Sequence, residues 1–179
     1  MMNKLLIGLA LAVAIASPAA AALPVGAKAP DFVTTGAIAG KPFQLRLKRE
    51  LRNGPVVLYF FPKAFTKGCT LEAHAFSEAS AQFRKAGARV IGMSADDLPT
   101  LKRFSVEACR NAFPVATASP ATIKAYDVAM PVVGKLTNMS NRTSYVIGRN
   151  GRIAFVHSDL NWSEHVSKTL AAVRALKKR

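Results

Sequence analysis

The chain carries two cysteines, Cys69 and Cys109, and the first stands where a sulfur could react. The stretch PKAFTKGCT, from Pro62 to Thr70, follows the apolar run VVLYFF. Pro62 lies seven residues before Cys69 and Thr66 three before it. The pattern predicts a strand, a short turn, and a helix opening at about Cys69 or Thr70. The first turn of a helix presents unpaired N–H groups and the positive end of the helix dipole. Both favour a thiolate, the form of cysteine that attacks, and Lys63 and Lys67 add positive charge nearby. The competing use is structural. Two cysteines in an exported chain often form a disulfide staple, and a 69–109 bridge would close a large loop. The cysteines alone leave both uses open.

The elements that must position these residues follow from periodicity. AKAPDFVTTGAIAGKPFQL is cut by Gly and Pro and reads as an extended segment and a hairpin. GPVVLYFF (54–61) is β-branched, aromatic and too short for a helix, so it reads as a strand buried on both faces. TLEAHAFSEASAQFRKAG places Leu71, Ala75, Phe76, Ala79 and Phe83 on one helical face, and Gly87 stops it. ARVIGMSA is a second buried strand. Asp96 or Asp97 can cap the next helix, LPTLKRFSVEACRNA, with Pro99 in its first turn. FPVATA is a short extended piece, and SPATIKAYDVA is a helix capped by Ser119. RTSYVIGRNGRIAFVHSD reads as two strands joined at Asn150-Gly151. SEHVSKTLAAVRALKK is a closing amphipathic helix with Ser163 as its cap. This order predicts an α/β fold with a central mixed β-sheet flanked by helices. A thioredoxin-like arrangement fits it, and the pattern alone leaves other α/β topologies open.

PKAFTKGCT resembles the peroxiredoxin active-site signature, with Pro62, Thr66 and Cys69 at the signature spacings. The fuller run VVLYFFPKAFTKGCTLEAHAF is most similar to the bacterioferritin-comigratory (PrxQ) branch, where a glutamate also follows, here Glu72. NRTSYVIGRNGRI supplies the family's late arginine as Arg142, and GAKAPDF is similar to the family's N-terminal stretch. The resemblance implies a thiol-dependent peroxidase acting on hydrogen peroxide and small organic hydroperoxides, with no cofactor; no cysteine–histidine grouping has metal-ligand spacing, so no metal is expected. It implies Cys69 as nucleophile, Thr66 as a hydrogen-bonding partner of sulfur and peroxide, and Pro62 as a shield. It makes Arg142 the group that holds the thiolate and steadies the departing oxygen, with Glu72 orienting the arginine.

Attack leaves Cys69 as a sulfenic acid that a thiol must recycle. Many members of the branch carry a second cysteine five residues on, where this chain has His74. Cys109, near the end of its helix, is the remaining candidate. It is either a resolving cysteine or a buried structural thiol, and in the second case an external thiol such as a thioredoxin-like protein reduces the enzyme. His74 does not share the helix face of Cys69, His157 and His165 stand isolated in sequence, and Trp162 reads as packing.

Composition bounds the rest. A chain of 179 residues, half of them hydrophobic, suffices for one domain with a core. Residues 1–22 read as a cleavable signal peptide with the cut after Ala21 or Ala22, leaving a domain over 23–179. Its apolar run is shorter than the roughly 20 residues of a membrane span. The expectation is periplasmic or secreted, without stable membrane insertion, as monomer or homodimer. The formal net charge of +15 draws anionic partners, but no basic stripe interleaved with aromatics marks a nucleic-acid site. Two rivals remain: a thiol–disulfide exchange protein of the same fold, and a basic binding module stapled by a 69–109 disulfide. The first lacks the Cys-x-x-Cys pair that exchange uses.

Overall fold

The computed structural model describes residues 22–132 and 135–177. The signal-peptide stretch 1–21 lies outside the described residues. One mixed sheet carries the fold. Strands β1 (Val33–Ile38) and β2 (Lys41–Arg46) form the expected hairpin, and α1 (Leu47–Arg52) follows directly. Strand β3 (Val56–Phe60) leads into α2 (Lys67–Lys85), and β4 (Arg89–Ser94) into α3 (Leu98–Glu107). Strand β5 (Val115–Thr117) precedes α4 (Pro120–Ala125). A hairpin of β6 (Ala129–Val132) and β7 (Lys135–Ser140) comes next. Strands β8 (Thr143–Ile147) and β9 (Ile153–Ser158) and helix α5 (His165–Lys177) close the chain. The sheet order is β2-β1-β5-β4-β3-β8-β9. The β3–β4 and β4–β5 pairs are parallel, and the others are antiparallel.

Every residue of β3 is buried, and alternate residues feed opposite cores. Val57, Tyr59 and Phe61 face a core built with Phe76 and Phe83 of α2, Leu101 and Phe104 of α3, and Leu170 and Val173 of α5. Val56, Leu58 and Phe60 face a second core with Leu47 and Leu51 of α1, Ile123 of α4, and Tyr126 and Tyr145. Cys69 and Cys109 both belong to the first core. Two expected caps are present: Asp97 accepts from the Thr100 N–H at 2.9 Å, and Ser119 from the Thr122 N–H at 3.1 Å. The β8–β9 turn closes at Asn150-Gly151 as read, with Gly151 at φ +75°.

Four local readings change. Helix α2 opens at Lys67, because Thr66 is the extended residue before it and no side-chain cap announces the start. The segment 47–52, to which periodicity assigns no element, is helix α1, held by the burial of Leu47 and Leu51. The β6–β7 hairpin has no counterpart among the expected elements. Ser163 does not cap α5; it lies in a 3-10 turn, Trp162–Glu164, that Asn161 caps by accepting the Ser163 N–H at 3.1 Å.

The joint between α1 and β3 packs against the joint between α2 and β4. Gly54 has φ +149°, and a Cβ there would overlap the Gly87 carbonyl oxygen. Gly87 ends α2 at φ +83°, and a Cβ there meets nothing within 4 Å. Gly54→Ala is therefore expected to cost about 3 kcal/mol or more, from backbone strain plus overlap. Gly87→Ala is expected to cost about 1–2 kcal/mol, from handedness alone. Urea midpoints of the two variants measure the difference, and equal losses would show that the contact yields.

Candidate active site

The antiparallel β3–β8 pair sets Phe60 opposite Thr143, so the end of β3 lies beside the beginning of β8. Stitches outside the ladder fix this corner. The Ser140 hydroxyl donates to the Phe61 carbonyl at 2.9 Å, and the Asn141 N–H to the Val128 carbonyl at 2.7 Å. Arg142 follows at once and points back over the first turn of α2. Its Nη2 lies 3.4 Å from Cys69 Sγ, its Nη1 donates to Glu72 Oε2, and its Nε donates to the Leu160 carbonyl at 2.9 Å. Gly68 makes room: a Cβ there would sit 3.3 Å from Arg142 Nη2. Glu72 is one helical turn beyond Cys69, on the same face. Sulfur, guanidinium and carboxyl, read from two separate places in the sequence, thus meet in one buried cluster.

The first intrahelical bond of α2 runs from the Thr70 N–H to the Thr66 carbonyl at 2.9 Å. The N–H groups of residues 67–69 therefore precede the ladder. The loop 62–66 is clamped from β4: Asp96 Oδ2 accepts from the Ala64 N–H at 2.7 Å and from the Ser94 hydroxyl. Phe65 bends the loop with φ +64°, with its ring edge-on to Phe104 at 5.2 Å and beneath the Arg103 guanidinium at 5.2 Å. Pro62 is half-buried, and Thr66 is exposed. The Thr66 hydroxyl donates to the Lys63 carbonyl at 3.0 Å rather than to the sulfur. Its oxygen can still accept a hydrogen from a ligand.

Cys69 and Cys109 are both free thiols, so the staple expected of a binding module is not formed. Cys109 sits just past the end of α3, fully buried, and burial pushes its thiol far up. The structure also assembles residues that spacing did not reveal. His165, isolated in sequence, lies fully buried behind the cluster, with Nδ1 2.8 Å from Ser144 Oγ and 3.7 Å from Glu72 Oε1. Its ring centroid is 4.6 Å from that of His157, so neither histidine is isolated in space. Trp162 lies along the first turn of α2, where a Cβ on Gly68 would come within 3.8 Å of its ring. The one local sign of Ser144 was a hydroxyl inside a strand that is otherwise apolar from Tyr145 onward. Asp96 offered none beyond a possible cap.

Such a cluster can stabilise a sulfur anion and a second anionic oxygen beside it. The sequence profile of the AhpC/TSA family matches residues 25–156. The chain belongs to that family. A chloroplast peroxiredoxin Q of Sedum lineare is 31% identical over 139 residues, covering 77% of this chain and 72% of the relative. Peroxidoxin BcpB of Mycobacterium tuberculosis superposes with a TM-score of 0.75 at 30% identity, covering 85% of this chain and 97% of that one. A peroxiredoxin Q of Xanthomonas campestris gives 0.70 at 27% identity, covering 80% of this chain and 90% of that one. The thioredoxin-like fold, the peroxiredoxin Q resemblance and a thiol-dependent peroxidase activity hold together on these likenesses. As an AhpC/TSA peroxidase the chain takes a peroxide as substrate and a thiol as reductant.

Burial raises the Glu72 carboxyl to about 8, while Arg142 pulls it the other way. A carboxyl raised on folding holds a proton that the unfolded chain has lost, so its contribution to stability falls as pH climbs from its ordinary value, 4.5, towards 8. Arg142→Met removes the compensating charge and is expected to cost about 3–5 kcal/mol. The loss should be larger in mildly alkaline than in mildly acidic buffer. Glu72→Gln added to Arg142→Met should erase that pH dependence in urea titrations, and its persistence would place the buried charge elsewhere.

Proposed function

We propose that Cys69 is the sulfur that attacks the peroxide, in a protein exported from the cell. The Arg142 contact carries the reading: a permanently charged guanidinium lies 3.4 Å from the sulfur and is anchored on its other arm by Glu72. The Cys69 thiolate attacks one peroxide oxygen, the O–O bond breaks, and the second oxygen leaves with the electron pair and takes up a proton. Sulfur is oxidised to sulfenic acid and the peroxide is reduced to water or an alcohol. Arg142 and the N–H groups of the first turn of α2 would steady the departing oxygen. Thr66 would accept the hydrogen of the incoming peroxide, and Pro62 would narrow the approach. Export is supported by the apolar, small-residue pattern of residues 1–22, and N-terminal sequencing of the protein recovered from cell fractions tests it.

For recycling, burial of Cys109 with its raised thiol favours an external thiol, because the attacking species must be a thiolate. Resolution by Cys109 draws on one feature. Arg110 and Asn111, directly after it, both hold positive φ, at 50° and 59°, and opening this segment would release that strain.

Cys69→Ser is expected to abolish peroxide consumption while leaving the circular dichroism and urea midpoint near wild type. Retained turnover would remove Cys69 from the chemistry. Cys109→Ser is expected to cycle at the wild-type rate with an external thiol. Loss of cycling in this variant, with a 69–109 disulfide trapped in the peroxide-treated wild type, would establish Cys109 as the resolving thiol.

A further inference from the structure

Cys69, Glu72, Arg142 and His165 have exposures of 2%, 0%, 5% and 0%. Two of these groups become negative when ionised, and a single guanidinium faces both. One positive charge balances one negative charge. A buried site that ionises Cys69 must therefore protonate Glu72 or supply it with another cation, because an uncompensated buried charge is costly.

The side of Glu72 turned away from Arg142 shows what is available. Oε1 is buried with no hydrogen-bond partner, and it lies 3.7 Å from His165 Nδ1. His165 Nε2 lies 2.9 Å from the Asp159 carbonyl oxygen. A carbonyl only accepts, so Nε2 carries the hydrogen and Nδ1 is the basic nitrogen. Ser144 Oγ, 2.8 Å from Nδ1, holds the ring in place. The geometry points to His165 as a positioning residue that, at ion-pair distance from Glu72 Oε1, keeps a single proton on the Glu72–His165 pair, which leaves Arg142 free to hold the Cys69 sulfur. This rests on Cys69 being the attacking sulfur.

The charges balance. With one proton on the Glu72–His165 pair, the Cys69 thiolate, the Arg142 guanidinium and that pair sum to zero. Loss of that proton leaves one uncompensated negative charge. Burial moves the carboxyl up to about 8 and the imidazole down to about 4, and Arg142 pulls the carboxyl back towards ionisation. The surrounding groups are few. Arg142 and His157 disfavour a charged imidazole, and Asp159 favours one. Tyr59, on β3, is pushed far up by burial and stays neutral. Glu164, ending the 3-10 turn, and Lys168, in α5, pair with each other at 2.7 Å and act on His157.

The test is the pH profile of sulfur oxidation by hydrogen peroxide, with the thiolate followed by its ultraviolet absorbance, in wild type, His165→Gln, Glu72→Gln and the double variant. His165→Gln is expected to raise the pH of thiolate formation by about one unit and to slow the neutral-pH reaction about tenfold. In the Glu72→Gln background the same change is expected to have little further effect, since no carboxylate remains to be balanced. A His165→Gln profile that matches wild type overturns the inference, and so do equal effects in the two backgrounds. If His165→Gln does not fold, nitrogen NMR of wild-type His165 decides. Ring shifts that move with Cys69 ionisation and change in Cys69→Ser support the single proton of the pair, and shifts constant through that titration overturn it. Cys69→Ser tests the underlying assignment separately: a protein that loses turnover with Cys69→Ser yet ignores His165→Gln refutes the single proton of the pair alone.

Discussion

The contact between one guanidinium and two buried acids governs the arrangement of this molecule. Arg142 is nearly inaccessible to water, yet it stays charged under all ordinary conditions. Removing such a group from solvent is expensive unless every arm finds an acceptor. Its arms end on the Cys69 sulfur, the Glu72 carboxyl and the Leu160 carbonyl. Cys69 is thus a structural partner of the arginine, and loosening the site would leave a buried ion short of an acceptor.

The fold makes that contact possible by setting an antiparallel strand, β8, beside the parallel run. In the parallel β3–β4–β5 run, helices leave from the same sheet edge, and α2 begins there. Strand β8 runs against β3 and starts where β3 ends. A residue just before β8 can therefore reach a residue just after β3, although 73 positions separate Arg142 from Cys69. The β6–β7 hairpin delivers the chain to that edge, and the Ser140 hydroxyl fastens it to the Phe61 carbonyl.

What could be read from the sequence follows from range. Strand β3 was legible because residues buried on both faces leave an unbroken apolar run. The β8–β9 turn was legible because Asn-Gly is a local signal, and the caps of α3 and α4 because a cap acts within three residues. The resemblance of PKAFTKGCT and NRTSYVIG brought Cys69 and Arg142 into one hypothesis, which spacing alone could not have done. Helix α1 was hidden because its charged residues mask a two-leucine anchor. His165 was hidden because its partners, Ser144, Glu72 and the Asp159 carbonyl, come from three elements, and no local pattern marks a histidine as buried. The Thr66 hydroxyl turned to a backbone carbonyl three residues away, a short-range option that a motif does not reveal.

Strand β2 stands at one end of the sheet, where a free row of backbone groups could template pairing with another chain. Its sequence, KPFQLR, blunts that hazard. Pro42 has no N–H to offer, and Lys41 and Arg46 bring like charge to any second copy that approaches. Any chain has its strands exposed before its sheet assembles, so this border works as a guard against self-association during that interval.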